Sequence, residues 1–277
     1  MVLLTGCLSS CAGRSQALPS VPSQLNLTEP SSTPAQEKVR NRDEKKQEHR
    51  QDSEKTVSDT TPEPSEPRVI VLDPGHAATR TTDYEPVGPG AQETKMASVI
   101  GTRGVVTGVY EFARVLEISK LLREELLLRG YQVIMTKETN EEVLSNIQRA
   151  QIANGVHADA FLRIHADASE IASDTGAMAM CITESNPYVP QMYRLSRILA
   201  DDVLAEYCAA TCLTNRGVTE TDEMTGNNWS EVPCILMELG YMTNPDDDRF
   251  LASAEGQTAV VQGIANGLDR YFNNLSA

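Results

Sequence analysis

The sequence RVIVLDPGH, residues 68–76, decides the fold of this chain. Its four consecutive apolar residues, Val69 to Leu72, are typical of a strand buried on both faces of a sheet. Pro74 cannot continue a central strand and Gly75 permits a tight turn, so the strand ends there. His76 then lies in a loop at the carboxyl end of the strand, where open α/β sheets bind ligands. Taken alone, such a histidine is more often an ordinary loop residue, so a functional role for His76 requires partners.

Residues 12–67 differ sharply in composition from the rest of the 277-residue chain. They include no Phe, Tyr or Trp, and Gln, Glu, Ser, Thr, Pro and Lys dominate. Such a segment cannot bury enough apolar surface to offset the entropy lost on ordering it. We therefore predict a disordered polar tether at 12–67 and one folded domain at 68–277, a length that suits a single core.

The first eleven residues include the form of a bacterial lipobox. Leu4-Thr5-Gly6-Cys7 places an apolar residue and two small residues before a cysteine, and Leu8-Ser9-Ser10-Cys11 is a weaker second copy. A secretory signal also needs a basic start and an apolar run of about 7–15 residues, which this stretch does not show. Residues 1–11 are therefore either a remnant lipoprotein signal or a chance match. The first alternative predicts a lipid anchor on Cys7 or Cys11 and an extracytoplasmic protein at the cell surface, membrane-anchored or secreted.

The predicted domain is strongly acidic. The chain has 24 Lys and Arg against 39 Asp and Glu, and 16 and 29 of these follow Glu66, which gives the domain a net charge of −13. Such a charge argues against nucleic acid or an anionic membrane surface as the main partner. The sequence leaves the oligomeric state open.

The domain has four cysteines, at positions Cys181, Cys208, Cys212 and Cys234. Their spacing matches neither a CxxC zinc pair nor a dense disulfide framework. Two of them lie in apolar, strand-like runs, where small buried thiols are common. We therefore predict free, buried thiols at all four positions.

Strands and helices alternate along the domain. Apolar residues recurring every three or four positions predict helices at 108–129, 142–153, 187–210 and 254–272. Short apolar runs predict further strands at 131–136, 159–165, 176–183 and 235–239. This alternation indicates an α/β fold with a mostly parallel sheet covered by helices on both faces. The aperiodic segment Ala77–Val106 is long enough to be functional, either as a substrate wall or as a lid.

Three potential metal ligands fall at related places in this pattern. His76 follows the first strand, His165 ends a later one, and Glu111 opens the first helix. Two histidines and one carboxylate leave a fourth position for water, as in catalytic rather than structural zinc sites. Zinc lowers the pKa of water to about 7 and polarises a carbonyl, which permits attack on an amide. Glu238, in an apolar run, could carry the proton, although a glutamate there is more often ion-paired.

Four blocks of sequence, taken together, resemble the zinc-dependent N-acetylmuramoyl-L-alanine amidases of the Amidase_3 type. They are VIVLDPGH at 69–76, Glu111 at a helix start, ANGVHADAFLRIHADAS at 153–169 and PCILMELGYMTNPDD at 233–247. The resemblance covers Arg68 to Phe272 and implies a single catalytic domain with a six-stranded, mostly parallel sheet. It implies zinc as cofactor, with His76, Glu111 and His165 as its ligands and Glu238 as the catalytic acid and base.

The resemblance also implies one reaction and one partner. The reaction is hydrolysis of the amide between the lactyl group of N-acetylmuramic acid and the L-alanine of the stem peptide, and the partner is peptidoglycan. Two alternatives stay open. One is another zinc hydrolase that acts within the stem peptide, and the other is a non-catalytic wall-binding or regulatory domain.

Other residues carry weaker expectations. Arg216 matches a family stretch that lines the substrate cleft, with a surface salt bridge as an equal alternative. Trp229 would either stack against the glycan or pack in the core. His157 is a minor alternative ligand, expected on the wrong side of the sheet, and Asp73 would support the turn before His76. Asp246 to Asp248 predict a capped helix start with solvated acids.

Overall fold

The computed structural model describes residues 67–276. The predicted lipobox, the anchor on Cys7 or Cys11 and the tether as far as residue 66 therefore lie outside the described residues. Within 67–276, no helix is both long and apolar enough to span a membrane.

Eight strands within residues 67–276 form two sheets. They are β1 (Val69–Pro74), β2 (Tyr84–Pro86), β3 (Thr94–Met96), β4 (Gln132–Met135), β5 (Ala160–Asp167), β6 (Ala177–Cys181), β7 (Asn215–Glu220) and β8 (Cys234–Tyr241). The main sheet has the order β4-β1-β5-β8-β6-β7, and all neighbours are parallel except β6 and β8. The hairpin β2–β3 is separate and antiparallel. The predicted six-stranded, mostly parallel sheet is confirmed, and β1 is one of its interior strands.

Six α-helices accompany the strands. They are α1 (Glu111–Leu128), α2 (Asn146–Gly155), α3 (Tyr193–Thr211), α4 (Thr225–Asn228), α5 (Pro245–Ala252) and α6 (Ala254–Ser276). Helix α2 begins later than predicted because Ser145 and Gln148 form a reciprocal capping box. Val143, which falls within the predicted helix at 142–153, consequently lies before the observed helix and is 39% exposed.

One face of the main sheet carries the larger core. Ile70 and Leu72 of β1, and every second residue of β5, β6 and β8, point to this face and are fully or almost fully buried. Helices α1, α3 and α6 cover it. The opposite face has a smaller cluster, in which Val71 and Phe161 pack with Ala150 and Ala153 of α2. Helices therefore cover both faces, as predicted.

The alternation of side chains along the strands places four polar residues on the α2 face. Asp73 follows Val71 by two residues, and Arg163 and His165 follow Phe161 in the same way. Glu238 lies directly opposite His165 in the parallel register of β5 and β8. These residues therefore meet near the carboxyl ends of three adjacent strands.

The prediction of solvated acids from Asp246 to Asp248 is wrong for two of the three residues. A helix does begin at Pro245, capped by Asn244, but only Asp246 is solvated. Asp247 and Asp248 are buried, because Asp247 accepts hydrogen bonds from Thr175 and Tyr241 and Asp248 accepts from Val106 and Thr107.

The cysteines are free, as predicted, but not all are buried. Cys181 and Cys234 are buried, and their burial raises the pKa of each thiol to about 12. Cys208 is half-buried. Cys212 is exposed because α3 ends at Thr211, which leaves Cys212 as the left-handed C-cap with φ 58°.

Candidate active site

His76 is held in an uncommon backbone conformation. Its φ is 60°, a left-handed value that non-glycine residues adopt rarely and often at functional sites. Two cations fix it, since the His76 carbonyl accepts hydrogen bonds from Lys137 Nζ at 2.6 Å and Arg149 Nη2 at 3.0 Å. Gly75 must be glycine here, because an added Cβ would lie 2.3 Å from the His165 ring.

A buried ion network lies beneath this turn. Asp73 is fully buried and accepts hydrogen bonds from Thr136 at 2.7 Å, Arg149 at 2.6 Å and Arg163 at 3.0 Å. Burial alone would raise the pKa of the Asp73 carboxyl, but the two guanidinium groups hold it well below its usual range. Asp73 therefore stays charged and balances the cations around His76, which gives it the supporting role expected for the turn.

Three predicted ligands converge on one point. His76 Nε2 lies 3.0 Å from Glu111 Oε1, and His165 Nδ1 lies 3.1 Å from both of these atoms. His76 Nδ1 donates to the Val99 carbonyl at 3.1 Å, so the free lone pair of His76 is on Nε2. Within residues 67–276 these three side chains form the group that could hold a metal ion.

The segment Ala77–Val106 builds part of this site. Besides the Val99 carbonyl, it supplies the Thr102 N–H, which donates to Glu111 Oε2 at 3.0 Å. The backbone at Gly101 has φ 82°, and an added Cβ there would lie 2.5 Å from Glu111 Oε2. Because this segment hydrogen-bonds to two of the three side chains, it is a wall of the site.

The electrostatics favour metal-binding protonation states. Burial would raise the pKa of Glu111, but His165 and His76 hold it well below its usual range, so Glu111 is a carboxylate. Burial lowers the pKa of His165 to about 4, against an opposing effect of Glu111, so this imidazole is neutral near pH 7. Metal ions bind carboxylates and neutral imidazoles.

Glu238 has the opposite environment. Burial raises the pKa of its carboxyl well above the usual range, and the charges of Glu111 and Asp167 add to the effect. Its Oε2 is buried and has no hydrogen-bond partner among the described residues. Without a nearby cation, a carboxyl group in such surroundings keeps its proton to a higher pH than an exposed glutamate does, a property shared by general acids.

The remaining predicted residues lie elsewhere. Arg216 is exposed, stacks over the Tyr241 ring at 5.1 Å and donates to the Thr175 carbonyl. Trp229 packs against the smaller core and donates to the Pro86 carbonyl at 3.0 Å. His157 is exposed, at the opposite end of β5 from His165, and is not in the metal-binding group.

Sequence reasoning missed Arg149 and Lys137, which fix the turn at His76. Lys137 follows β4 at the same sheet edge, which is a weak signal for a role there. Arg149 lies in an amphipathic helix, where an arginine usually faces solvent. The backbone groups of Val99 and Thr102 left no signal, because every residue carries the same ones.

The chain is similar to known proteins over most of the described domain. Residues 70–270 match the family model Amidase_3, described as N-acetylmuramoyl-L-alanine amidase. YqiI of Bacillus subtilis is 27% identical over 211 residues, which cover 76% of this chain and 88% of YqiI. The probable cell wall amidase LytH of Staphylococcus epidermidis is 26% identical over 211 residues, which cover 76% of this chain and 60% of LytH.

A solved structure shares the fold. The apo form of the N-acetylmuramyl-L-alanine amidase Ami1 from Mycobacterium abscessus is 27% identical, with a TM-score of 0.67 over 74% of this chain and 98% of Ami1. The family match spans more than half of the 277 residues and includes all three converging side chains and Glu238. The chain therefore belongs to the Amidase_3 family of N-acetylmuramoyl-L-alanine amidases, and its function is that of a peptidoglycan amidase.

Proposed function

We propose that this chain is a zinc enzyme that hydrolyses the amide between the lactyl group of N-acetylmuramic acid and the L-alanine of the stem peptide. The observation that carries the proposal is the convergence of His76, Glu111 and His165, whose ligand atoms lie within 4.8 Å of one another. The names of relatives support the reaction, since LytH is described as a probable cell wall amidase and Ami1 as an N-acetylmuramyl-L-alanine amidase.

The donor set fits zinc. Two imidazole nitrogens and one carboxylate oxygen are a common ligand set of catalytic zinc, which keeps a fourth position open. Two of the three ligands are also oriented by a second contact, His76 by the Val99 carbonyl and Glu111 by the N–H groups of Thr102 and Ala166. Such outer contacts raise metal affinity because they restrict the ligands to the binding geometry.

Glu238 would move the proton. When bound, zinc supplies Lewis-acid chemistry, which lowers the pKa of a water molecule to about 7 and polarises a carbonyl. The positive charge of zinc would also counter the effects that raise the pKa of Glu238, so that Glu238 would be a carboxylate beside the metal. As a carboxylate it would take the proton of the attacking water, and it would then give that proton to the nitrogen of the departing L-alanine. Among residues 67–276, Glu238 Oε2 has no hydrogen-bond partner that would compete for this proton.

The proposed substrate also indicates where in the cell the protein acts. Peptidoglycan lies outside the cytoplasmic membrane, so an extracytoplasmic location follows from the proposed reaction. A lipid anchor on Cys7 or Cys11 would hold the enzyme at the cell surface and stays a prediction. Arg216 stays a predicted substrate contact, because it lies on an edge strand and, within the described part of the chain, its exposed guanidinium donates one long hydrogen bond, to the Thr175 carbonyl at 3.3 Å.

Digestion of purified peptidoglycan tests the function. The zinc-loaded full chain should release stem peptides that begin with L-alanine and leave the glycan intact. A chelator should abolish release, and added zinc should restore it, with about one zinc per chain by metal analysis. Cleavage within the stem would instead identify the alternative zinc peptidase. Full activity of the zinc-free protein would overturn the metal assignment.

A further inference from the structure

A groove lies between the hairpin β2–β3 and helix α2. Its volume is about 610 Å³, and the residues that matter for its chemistry are Thr81, Asp83, Tyr84, Val143, Ser145 and Gln148. Sites for small ligands usually measure about 300–1,000 Å³, so this groove is large enough for two sugar rings. Neither the metal-binding group nor Glu238 belongs to it.

The hairpin side of the groove is fixed. Glu85 in β2 is 5% exposed and accepts hydrogen bonds from the Asn146 backbone at 2.9 Å, the Asn146 side chain at 2.8 Å and the Ile147 backbone at 3.1 Å. Trp229 donates to the Pro86 carbonyl at 3.0 Å on the other side. The hairpin is therefore bonded to the first turn of α2 and to the segment after α4, so the groove exists before a ligand binds.

The lining offers one exposed aromatic ring among mostly uncharged polar groups. Tyr84 is 65% exposed, and Thr81, Ser145 and Gln148 present hydroxyl and amide groups. The Glu85 carboxylate is already occupied by its three N–H donors, which leaves Asp83 as the exposed charge. An aromatic face stacks on the C–H face of a sugar ring, and hydroxyls, amides and a carboxylate bind its hydroxyl groups.

The groove is next to the candidate active site. Ala97 and Ser98 line it, and the same two residues line a cavity of about 60 Å³ whose other walls include His76 and His165. A ligand in the groove is therefore separated from the metal-binding residues by the short segment Ala97–Ser98 that follows β3. Because the domain is strongly acidic, an uncharged ligand suits this position better than an anionic one.

We propose that this groove binds N-acetylated sugars of the glycan strand that neighbour the muramoyl residue whose amide is cleaved. The inference rests on the proposed function and names its substrate class, a stem peptide still attached to a polymeric glycan. Tyr84 supplies the stacking surface, and the anchored hairpin holds it in place.

Two substrates, two variants at Tyr84 and one control variant of the full chain test the groove. One substrate carries the stem on a single N-acetylmuramic acid, and the other carries it on a glycan of four or more sugars. For the zinc-loaded protein, we expect Tyr84→Ala to lower the ratio of kcat/KM for long over short substrate about tenfold, mostly through KM, because one stacked ring is lost. Tyr84→Phe keeps the ring and should keep the ratio. Leu128→Ala, which truncates an 85% exposed side chain at the end of α1, is the matched control and should change neither value.

Direct binding gives a second measurement that needs no turnover. Trp229 is the single tryptophan of the chain and bonds to the hairpin, so its fluorescence reports on the groove. A tetramer of N-acetylglucosamine should give a saturable change with the wild type and Tyr84→Phe, and a much weaker one with Tyr84→Ala. The proposal would be overturned if Tyr84→Ala had the same ratio of kcat/KM for long over short substrate as the wild type and the same binding curve. If the wild type cleaves neither substrate, the proposed reaction is wrong. The binding curves still test, independently of turnover, whether the groove binds sugars.

Discussion

The two faces of the main sheet are built from the same strands but use burial differently. The face under α1, α3 and α6 is almost entirely hydrocarbon. The α2 face is apolar only at its base, and towards the carboxyl ends of the strands it carries Asp73, Arg163, His165 and Glu238. On the first face burial supplies stability. On the second it shields fixed charges from water, so that their positions and pKa values persist.

The energetics of the two faces differ accordingly. Each fully buried aliphatic side chain contributes about 1.5–3 kcal/mol through the hydrophobic effect. A buried ion network contributes little net stability, because desolvation offsets most of the attraction, but removing one partner costs about 3–5 kcal/mol. We therefore expect substitutions on the α2 face to affect both function and stability, and substitutions on the other face to affect stability alone.

The largest effect should come from Glu238→Gln. This change removes the proton carrier but keeps the size of the side chain, so the turnover of peptidoglycan should fall about 10²–10⁴-fold. Folding stability should not fall, because a buried unpaired carboxyl is replaced by a neutral amide. Glu231→Gln, an exposed glutamate before the same strand, is the control. Turnover within tenfold of the wild type would remove Glu238 from the mechanism.

Asp73→Asn should be the most destabilising change on the α2 face. It leaves Arg149 and Arg163 without their shared carboxylate. We expect the unfolding free energy, measured by denaturant titration, to fall by about 3–5 kcal/mol. Zinc affinity should fall as well, because Arg149 also holds the His76 carbonyl. Asp246→Asn, on an exposed carboxylate, should change neither quantity. A loss below about 1 kcal/mol would mean that the network does not depend on its charge.

Leu122→Ala tests the apolar face. Leu122 of α1 is fully buried, so its truncation should cost about 2–5 kcal/mol in unfolding free energy. Turnover measured well below the melting temperature should stay the same, because Leu122 lies in the core on the opposite face of the sheet from the candidate active site. Its neighbour Leu121 is exposed, and Leu121→Ala should have almost no effect on stability. A change in kcat for Leu122→Ala would show that the two faces are coupled.

Glu85→Gln should have a smaller effect on the anchored hairpin. A neutral amide retains part of the hydrogen bonding to Asn146 and Ile147, so we expect the unfolding free energy to fall by about 1–3 kcal/mol. Glu93→Gln makes the same chemical change on an exposed residue of the same hairpin and should be neutral. Equal unfolding curves for the two variants would show that the hairpin is held by other contacts.

The smallest expected effect is a pH dependence of stability from Asp73. Its folded pKa lies below the ordinary value of 3.8, so its contribution is complete above that value and is lost as the pH falls towards the folded pKa. The difference in unfolding free energy between wild type and Asp73→Asn should therefore be smaller at pH 3 than at pH 6. Below pH 4 this difference should shrink by at most about 1.4 kcal/mol per pH unit. A difference independent of pH would contradict the assignment.

Much of this architecture follows from the sequence. The apolar run before His76, the helix stripe after Glu111 and the run around Glu238 are local patterns, and they predicted the main sheet and the four residues brought together at its edge. The hairpin β2–β3 was missed because each strand has only three residues and no apolar alternation. Strand β7 was missed because it lies at the sheet edge and has no buried residue.

Long-range partners set the remaining limits. Nothing near Asp247 or Asp248 in sequence shows that loops more than 70 residues away donate hydrogen bonds to them. The same holds for Arg149 and Lys137, whose contact with His76 spans more than 60 residues. The end of α3 was predicted to within one residue, but the exposure of Cys212 was not, because its left-handed C-cap conformation leaves no periodic signal in the sequence.

The left-handed backbone at His76 has a consequence for the order in which the site is assembled. The groups that impose it, Lys137 and Arg149, come later in the chain, and His165 comes later still. In a growing or newly exported chain, the three side chains that could bind a metal ion therefore come together only after β5 has paired with β1. We expect metal uptake to be a late event that reports completed folding, so that partly folded chains remain inactive against the wall they encounter.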